Sequence, residues 1–153
     1  MKPVKKHYRP SGIHLSRYHQ GWIYAVISLS FISGLLWLLF HYFISIPGQF
    51  GETHHPLELW CLRLHGAAAM ISLIVLGTLL PIHIQRSWQL QRNRYSGLGV
   101  LVIFSFLLIT SYGLYYLGND VLRNWLSILH WVIGIILFPL LAVHIILGKR
   151  KPH

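Results

Sequence analysis

The chain has 153 residues, 54% of them hydrophobic and only 10% charged, with a formal net charge of +10. Soluble domains carry roughly a quarter charged residues, so the composition excludes an ordinary soluble globular enzyme. The basic excess does not point to nucleic acid, because 11 of the 13 Lys and Arg residues sit in three short segments that flank long apolar blocks.

Residues 1–21 form a basic arm carrying Lys2, Lys5, Lys6, Arg9 and Arg17. Four apolar blocks follow, at residues 22–43, 59–84, 98–117 and 126–147. Each reaches the roughly 20 residues that cross a hydrocarbon core of about 30 Å. None contains Lys, Asp or Glu, and Arg63 lies near the start of the second. The first block is long for a signal peptide and no A-x-A-like site follows it, so it is expected to remain as the first span. Segment 45–58 (SIPGQFGETHHPLE) is rich in Gly, Pro and turn formers, which predicts a loop. Segment 87–97 is a polar link, and segment 118–124 (GNDVLRN) a short turn that makes spans three and four antiparallel neighbours. The basic tail of residues 149–153 closes the chain. Trp22, Trp60, Trp88 and Trp125 mark span ends, as interfacial anchors do.

The expected fold class is therefore all-α, an integral membrane four-helix bundle spanning residues 22–148. Arg86, Arg92 and Arg94 lie between spans two and three, and Lys149, Arg150 and Lys151 follow span four. Only Arg63 and Arg123 fall on the other side, together with the acids Glu52, Glu58 and Asp120. That asymmetry predicts a multi-pass protein of a bacterial inner membrane with both termini cytoplasmic. The basic arm reads as a topology signal, with anionic membrane lipid as a further contact. Cys61 is alone, which excludes an intrachain disulfide, and the absence of C-x-x-C-H excludes covalently attached haem.

Histidine within a span is costly and is a functional hypothesis by default. His65 and His83 on span two are 18 residues apart, about five turns at 3.6 residues per turn, so they share a face. His130 and His144 on span four are 14 apart, about 40° short of four turns, and also share a face. Spans two and four run in the same direction. The depths therefore match as an outer pair, His65 with His130, and an inner pair, His83 with His144. The two levels are separated by about 21 Å of rise on span four and about 27 Å on span two. A tilt, or a kink at Pro81, is expected to absorb the difference. Each pair can offer two imidazoles to one iron, a saturated ligation suited to electron transfer.

Small residues accompany the histidines. Gly66, Ala67 and Ala68 follow His65, with Ala69 and Ser72 on the same face. Gly134 is one turn beyond His130, and Gly99 and Gly113 on span three are again 14 apart. They read either as room for a flat cofactor or as ordinary small-residue packing between helices in lipid. Arg63 and Arg86, beside His65 and His83, read either as partners of haem propionates or as snorkelling anchors. His41 near the outer end of span one reads as interfacial, or as the lining of a cofactor or quinone site. His54 and His55 in the outer loop are candidates for metal or a partner. His7, His14, His19 and His153 are expected to be solvated.

The layout in LHGAAAMISLIVLGTLLPIH and LHWVIGIILFPLLAVH resembles the membrane-embedded b-type cytochromes. It is closest to the four-helix haem-bearing part of the cytochrome b/b6 type, with related four-helix anchors in hydrogenases and formate dehydrogenases. In that family the second and fourth helices carry two histidines each and glycines make room for the haems. The second segment has the family-like step of 14 residues, and the first is four residues longer. The resemblance covers residues 22–148. It implies two b haems with His65, His83, His130 and His144 as axial ligands, and a role as an electron-transfer subunit rather than a stand-alone enzyme. The partners it implies are a periplasmic redox protein, other subunits of a membrane complex, or quinone. The quinol-site signatures of the large cytochromes b are not visible. Two other function classes use the same residues: a non-redox membrane anchor or assembly subunit with structural histidines, and a metal or haem transporter.

The charge asymmetry generates a topology prediction. Cysteine reporters at Ser11, Asn93 and the C-terminal tail should be labelled from the cytoplasm, and one at Thr53 from the periplasm. A periplasmic Asn93 would contradict a four-span count.

Overall fold

The computed structural model describes residues 16–91 and 93–150. Expectations placed on residues 1–15, Arg92 and residues 151–153, and on the side chain of Arg86, lie outside that description. Among the described residues, four helices are long and apolar enough to cross a membrane. They are α1 (Arg17–Tyr42), α2 (Pro56–Leu79), α4 (Arg94–Tyr116) and α5 (Asp120–Arg150). A two-stranded hairpin, β1 (Ser45–Gly48) and β2 (Gly51–His54), joins α1 to α2. A π-helical turn (Leu80–Ile84) and a short helix α3 (Gln85–Gln89) lead from α2 towards α4.

Side-chain caps mark the starts of α1, α2 and α5. Ser16 accepts a hydrogen bond from the His19 amide at 3.2 Å and opens α1. Pro56 is the first residue of α2, where its missing N–H costs nothing. The His55 ring accepts from the Leu57 amide at 3.1 Å, and Glu58 in the first turn complements the helix dipole. Asn119 Oδ1 accepts from the Leu122 amide at 3.0 Å, an N-cap bond with Asp120 in the first turn of α5. Helix α5 therefore begins within the segment expected as a turn at 118–124, and the connection shrinks to three residues, Leu117–Asn119. The polar link at 87–97 is likewise partly helical. Its non-helical part contains Gln91 and Asn93, both at positive φ.

The segment expected as a loop at 45–58 is a hairpin followed by the first turn of α2. Ser45 pairs with His54, and Gly48 with Gly51, around Gln49 and Phe50. Gly51 has φ +124°, a conformation open to glycine. Four-residue strands are too short for alternation to reveal them. The Ser45 hydroxyl donates to the Glu52 carboxylate at 2.9 Å across the strands.

Helix α1 packs along α2, and α4 along α5. Phe31 of α1 stacks on Phe138 of α5, with ring centroids 4.3 Å apart, and links the two pairs. Of the six buried positions among the described residues, two are Ile23 and Val26 and the other four are small, Ser33, Ala68, Ser72 and Thr110. Such residues let helix backbones approach closely without a hydrophobic driving force. The Ser33, Ser72 and Thr110 hydroxyls donate to carbonyls of their own helices, so none is an unpaired polar group. Large apolar side chains point outward instead. Ile74, Phe106 and Ile109 are all more than half exposed, an outside suited to lipid and unsuited to water. Helix α5 runs unbroken through Pro139.

The α5 cap gives a stability prediction. Asn119→Ala should destabilise the protein by about 1 kcal/mol, and Asn119→Asp should leave stability nearly unchanged. Equilibrium unfolding in mixed detergent micelles checks both. Equal losses in the two variants would contradict the capping assignment.

Candidate functional site

Four half-buried histidines form two pairs across the space between α2 and α5. His65 of α2 and His130 of α5 meet near the hairpin end of the bundle. Their ring centroids are 6.1 Å apart and their planes are inclined at 89°. His83 and His144 meet near the opposite end, where the described chain starts and stops. Their centroids are also 6.1 Å apart and their planes are inclined at 90°.

The second pair depends on a backbone irregularity. His83 lies in the π-helical turn, where the Gln85 amide donates to the Leu80 carbonyl, five residues back. Pro81 sits at the start of that turn. Its ring lacks an N–H and crowds the preceding carbonyls, which disfavours a regular α-helical ladder at that point. The wider i→i+5 turn takes up an additional residue. That residue is one of the four by which the step on α2 exceeds the step on α5, and both pairs meet with their centroids 6.1 Å apart.

Three of the four rings are oriented by a hydrogen bond at Nδ1. His65 Nδ1 is 2.8 Å from the Ser30 carbonyl oxygen of α1. A carbonyl only accepts, so Nδ1 carries the proton and Nε2 the lone pair. His130 Nδ1 is 2.8 Å from Thr110 Oγ1 of α4. The Thr110 proton is directed to the Phe106 and Leu107 carbonyls at 2.9 and 3.1 Å. His130 is therefore the donor. His144 Nδ1 is 2.9 Å from Ser96 Oγ, whose proton goes to the Asn93 carbonyl at 3.1 Å. By the same reasoning its Nε2 is the unprotonated nitrogen. This is the arrangement by which an outer partner fixes the tautomer of a metal-binding histidine. His83 differs: its Nδ1 is buried and has no hydrogen-bond partner.

Two glycines adjoin these rings, and neither stood out in the sequence. A Cβ on Gly34 would lie 3.1 Å from His65 Nδ1, and one on Gly97 would lie 3.4 Å from His144 Cε1. The glycines that did stand out face leucines. A Cβ on Gly99 would meet Leu140, one on Gly113 would meet Leu126 at 2.8 Å, and one on Gly134 would meet Leu107. These three sit where α4 and α5 pack together.

A cavity of about 400 Å3 opens between the helix pairs and is lined by His83 and His144. Ile23, Leu76, Phe104 and Leu141 give it apolar walls, one from each long helix, and Arg94 and Lys149 also line it. Neither cation stood out in the sequence. Arg63 is exposed, with its guanidinium 5.1 Å from the centroid of Trp60, an anchor-like contact on the outside of α2.

The remaining described histidines join neither pair. His41 and His54 converge on Glu58. His55 stacks on Phe40, with centroids 4.8 Å apart. His19, expected to be solvated, is half-buried and hydrogen-bonds Thr78 at 3.1 Å, tying α1 to α2. His7, His14 and His153 lie outside the described residues.

Comparison with protein-family models, with curated proteins and with solved structures finds no match for this chain.

The anchoring bonds predict tautomers. With 15N-labelled histidine, His65, His130 and His144 should each show an unprotonated Nε2. Thr110→Val should erase that preference at His130 alone. An unchanged His130 in Thr110→Val would mean that the hydroxyl does not set the tautomer.

Proposed function

We propose that this chain is a membrane-embedded b-type cytochrome subunit that holds two haems, one between His65 and His130 and one between His83 and His144. The carrying observation is the repetition of one geometry at two levels, with centroids 6.1 Å apart and planes near perpendicular. Two imidazoles bound on opposite sides of one metal put their centroids roughly 6 Å apart, given metal–nitrogen bonds of about 2.0 Å and the size of the ring. The hydrogen bonds at Nδ1 of His65, His130 and His144 leave the lone pair on Nε2, the nitrogen that would bind a metal.

Haem bound in this way supplies a one-electron carrier with no open coordination position, which favours electron transfer over oxygen chemistry. The chain's own residues supply the rest. Ser30, Thr110 and Ser96 each hold one ring in a fixed orientation. Gly34 and Gly97 admit the rings. The apolar cavity at His83 and His144 falls within the roughly 300–1,000 Å3 of ordinary cofactor pockets. Arg94 and Lys149 at that cavity suit the carboxylates of a propionate-bearing cofactor. Arg63 would serve the hairpin-end pair only after leaving Trp60.

The charge asymmetry orients the bundle in a bacterial inner membrane, with His65 and His130 towards the periplasm and the termini in the cytoplasm. Electrons would pass between a periplasmic redox protein, or other subunits of a membrane complex, and quinone or an acceptor near the cytoplasmic face. The protein purified in mild detergent from haem-replete cells and reduced with dithionite should show a sharp b-type α-band, and its haem should extract into acid acetone. Purified protein without a Soret band would overturn the proposal.

A further inference from the structure

We propose a second metal centre at the hairpin end, a divalent transition-ion site formed by His41, His54 and Glu58 and separate from the two histidine pairs. Its residues come from three elements: the last turn of α1, the last residue of β2 and the first turn of α2. Their ligand atoms all lie within 4.8 Å of one another. His41 Nδ1 is 2.7 Å from Glu58 Oε1 and hydrogen-bonds it. His54 Nδ1 is 2.8 Å from Glu58 Oε2. That second contact is out of line for a hydrogen bond, so the buried Oε2 has no donor. The two imidazole planes are nearly parallel, 11° apart, with centroids 5.2 Å apart. Both rings thus present the same nitrogen to one carboxylate.

Two imidazoles and one carboxylate form a borderline-soft donor set, suited to zinc and to other late first-row divalent ions, with coordination positions left for water. Two ligands each about 2.1 Å from a tetrahedral ion stand about 3.4 Å apart. Closing the set onto an ion therefore needs an approach of about an ångström or slightly more by the widest pair. The His54 side chain is 69% exposed and free to make it, while Glu58 at 15% is held. Binding would displace the proton shared by His41 and Glu58 into water. The ion would fasten the hairpin to both helix ends, since a two-stranded hairpin is marginal by itself. Glu58 is seven residues before His65 on α2, about 10 Å of rise, so the two centres can be read independently.

Zinc titration by calorimetry on chelator-treated protein in detergent tests the site, with optical absorption of the same samples as control. One equivalent should bind. His54→Ala and Glu58→Gln should each weaken it by more than the roughly 10–100-fold that loss of an outer partner costs. His55→Ala should retain it, and the visible spectrum should be unchanged in all three. His54 is on the exposed hairpin, so its variant tests the site even if Glu58→Gln does not fold. Zinc affinity unchanged in His54→Ala, or lost equally in His55→Ala, would overturn the proposal.

Discussion

An imidazole ring inside an apolar bundle cannot leave its N–H unpaired without a cost of several kcal/mol. In this protein three such rings meet that requirement across helix interfaces. His65 reaches a backbone carbonyl of α1, and His130 and His144 reach hydroxyls of α4. These bonds fix ring orientation and the position of the proton. They also dictate the neighbouring sequence. Gly34 leaves room for the His65 ring, which a Cβ there would crowd at 3.1 Å, while a Cβ on Gly97 would only touch the His144 ring at 3.4 Å. Thr110 and Ser96 each pass their own proton to a carbonyl and so remain acceptors for the histidine.

The architecture follows from this pairing. Helices α1 and α2 form one close-packed unit and α4 and α5 another, each built on small buried residues. The histidine pairs span the space between the units, one ring from each. That space widens at the terminal end into the cavity around His83 and His144. Helix α5 carries one ring of each pair on regular α-helical spacing. The α2 side reaches the second level through a π-helical turn that begins at Leu80–Pro81, the kind of local irregularity that recurs at functional sites. Pro139 breaks no such register on α5, where the helix continues to Arg150.

Much of this was legible in the sequence. The four apolar blocks correspond to the four long helices because hydropathy over some 20 residues is a strong signal. The helical period put His65 with His83, and His130 with His144, on shared faces, and Pro81 marked the place of distortion. Other features depend on contacts that no period encodes. Asn119 moved the start of α5 outward by capping, against the apolar boundary. The glycines at 99, 113 and 134 shared the spacing of the histidines but pack against leucines. Gly34 and Gly97, which do adjoin the rings, have no spacing that distinguishes them. The hydroxyls of Ser96 and Thr110 were visible as polar residues near or within an apolar block, yet nothing in the order of residues assigned each to its histidine. The group of His41, His54 and Glu58 exists only because a hairpin of two four-residue strands folds β2 back over the end of α1.

The central claim is that ligation is shared across the bundle, with one cofactor per pair. Haem-to-protein stoichiometry in paired double variants tests this most directly. His65→Ala combined with His130→Ala should leave one haem per chain, because both changes fall on one centre. His65→Ala combined with His83→Ala should leave none, because each change removes a ligand from a different centre. One haem remaining in the second double variant, or none in the first, would contradict the pairing.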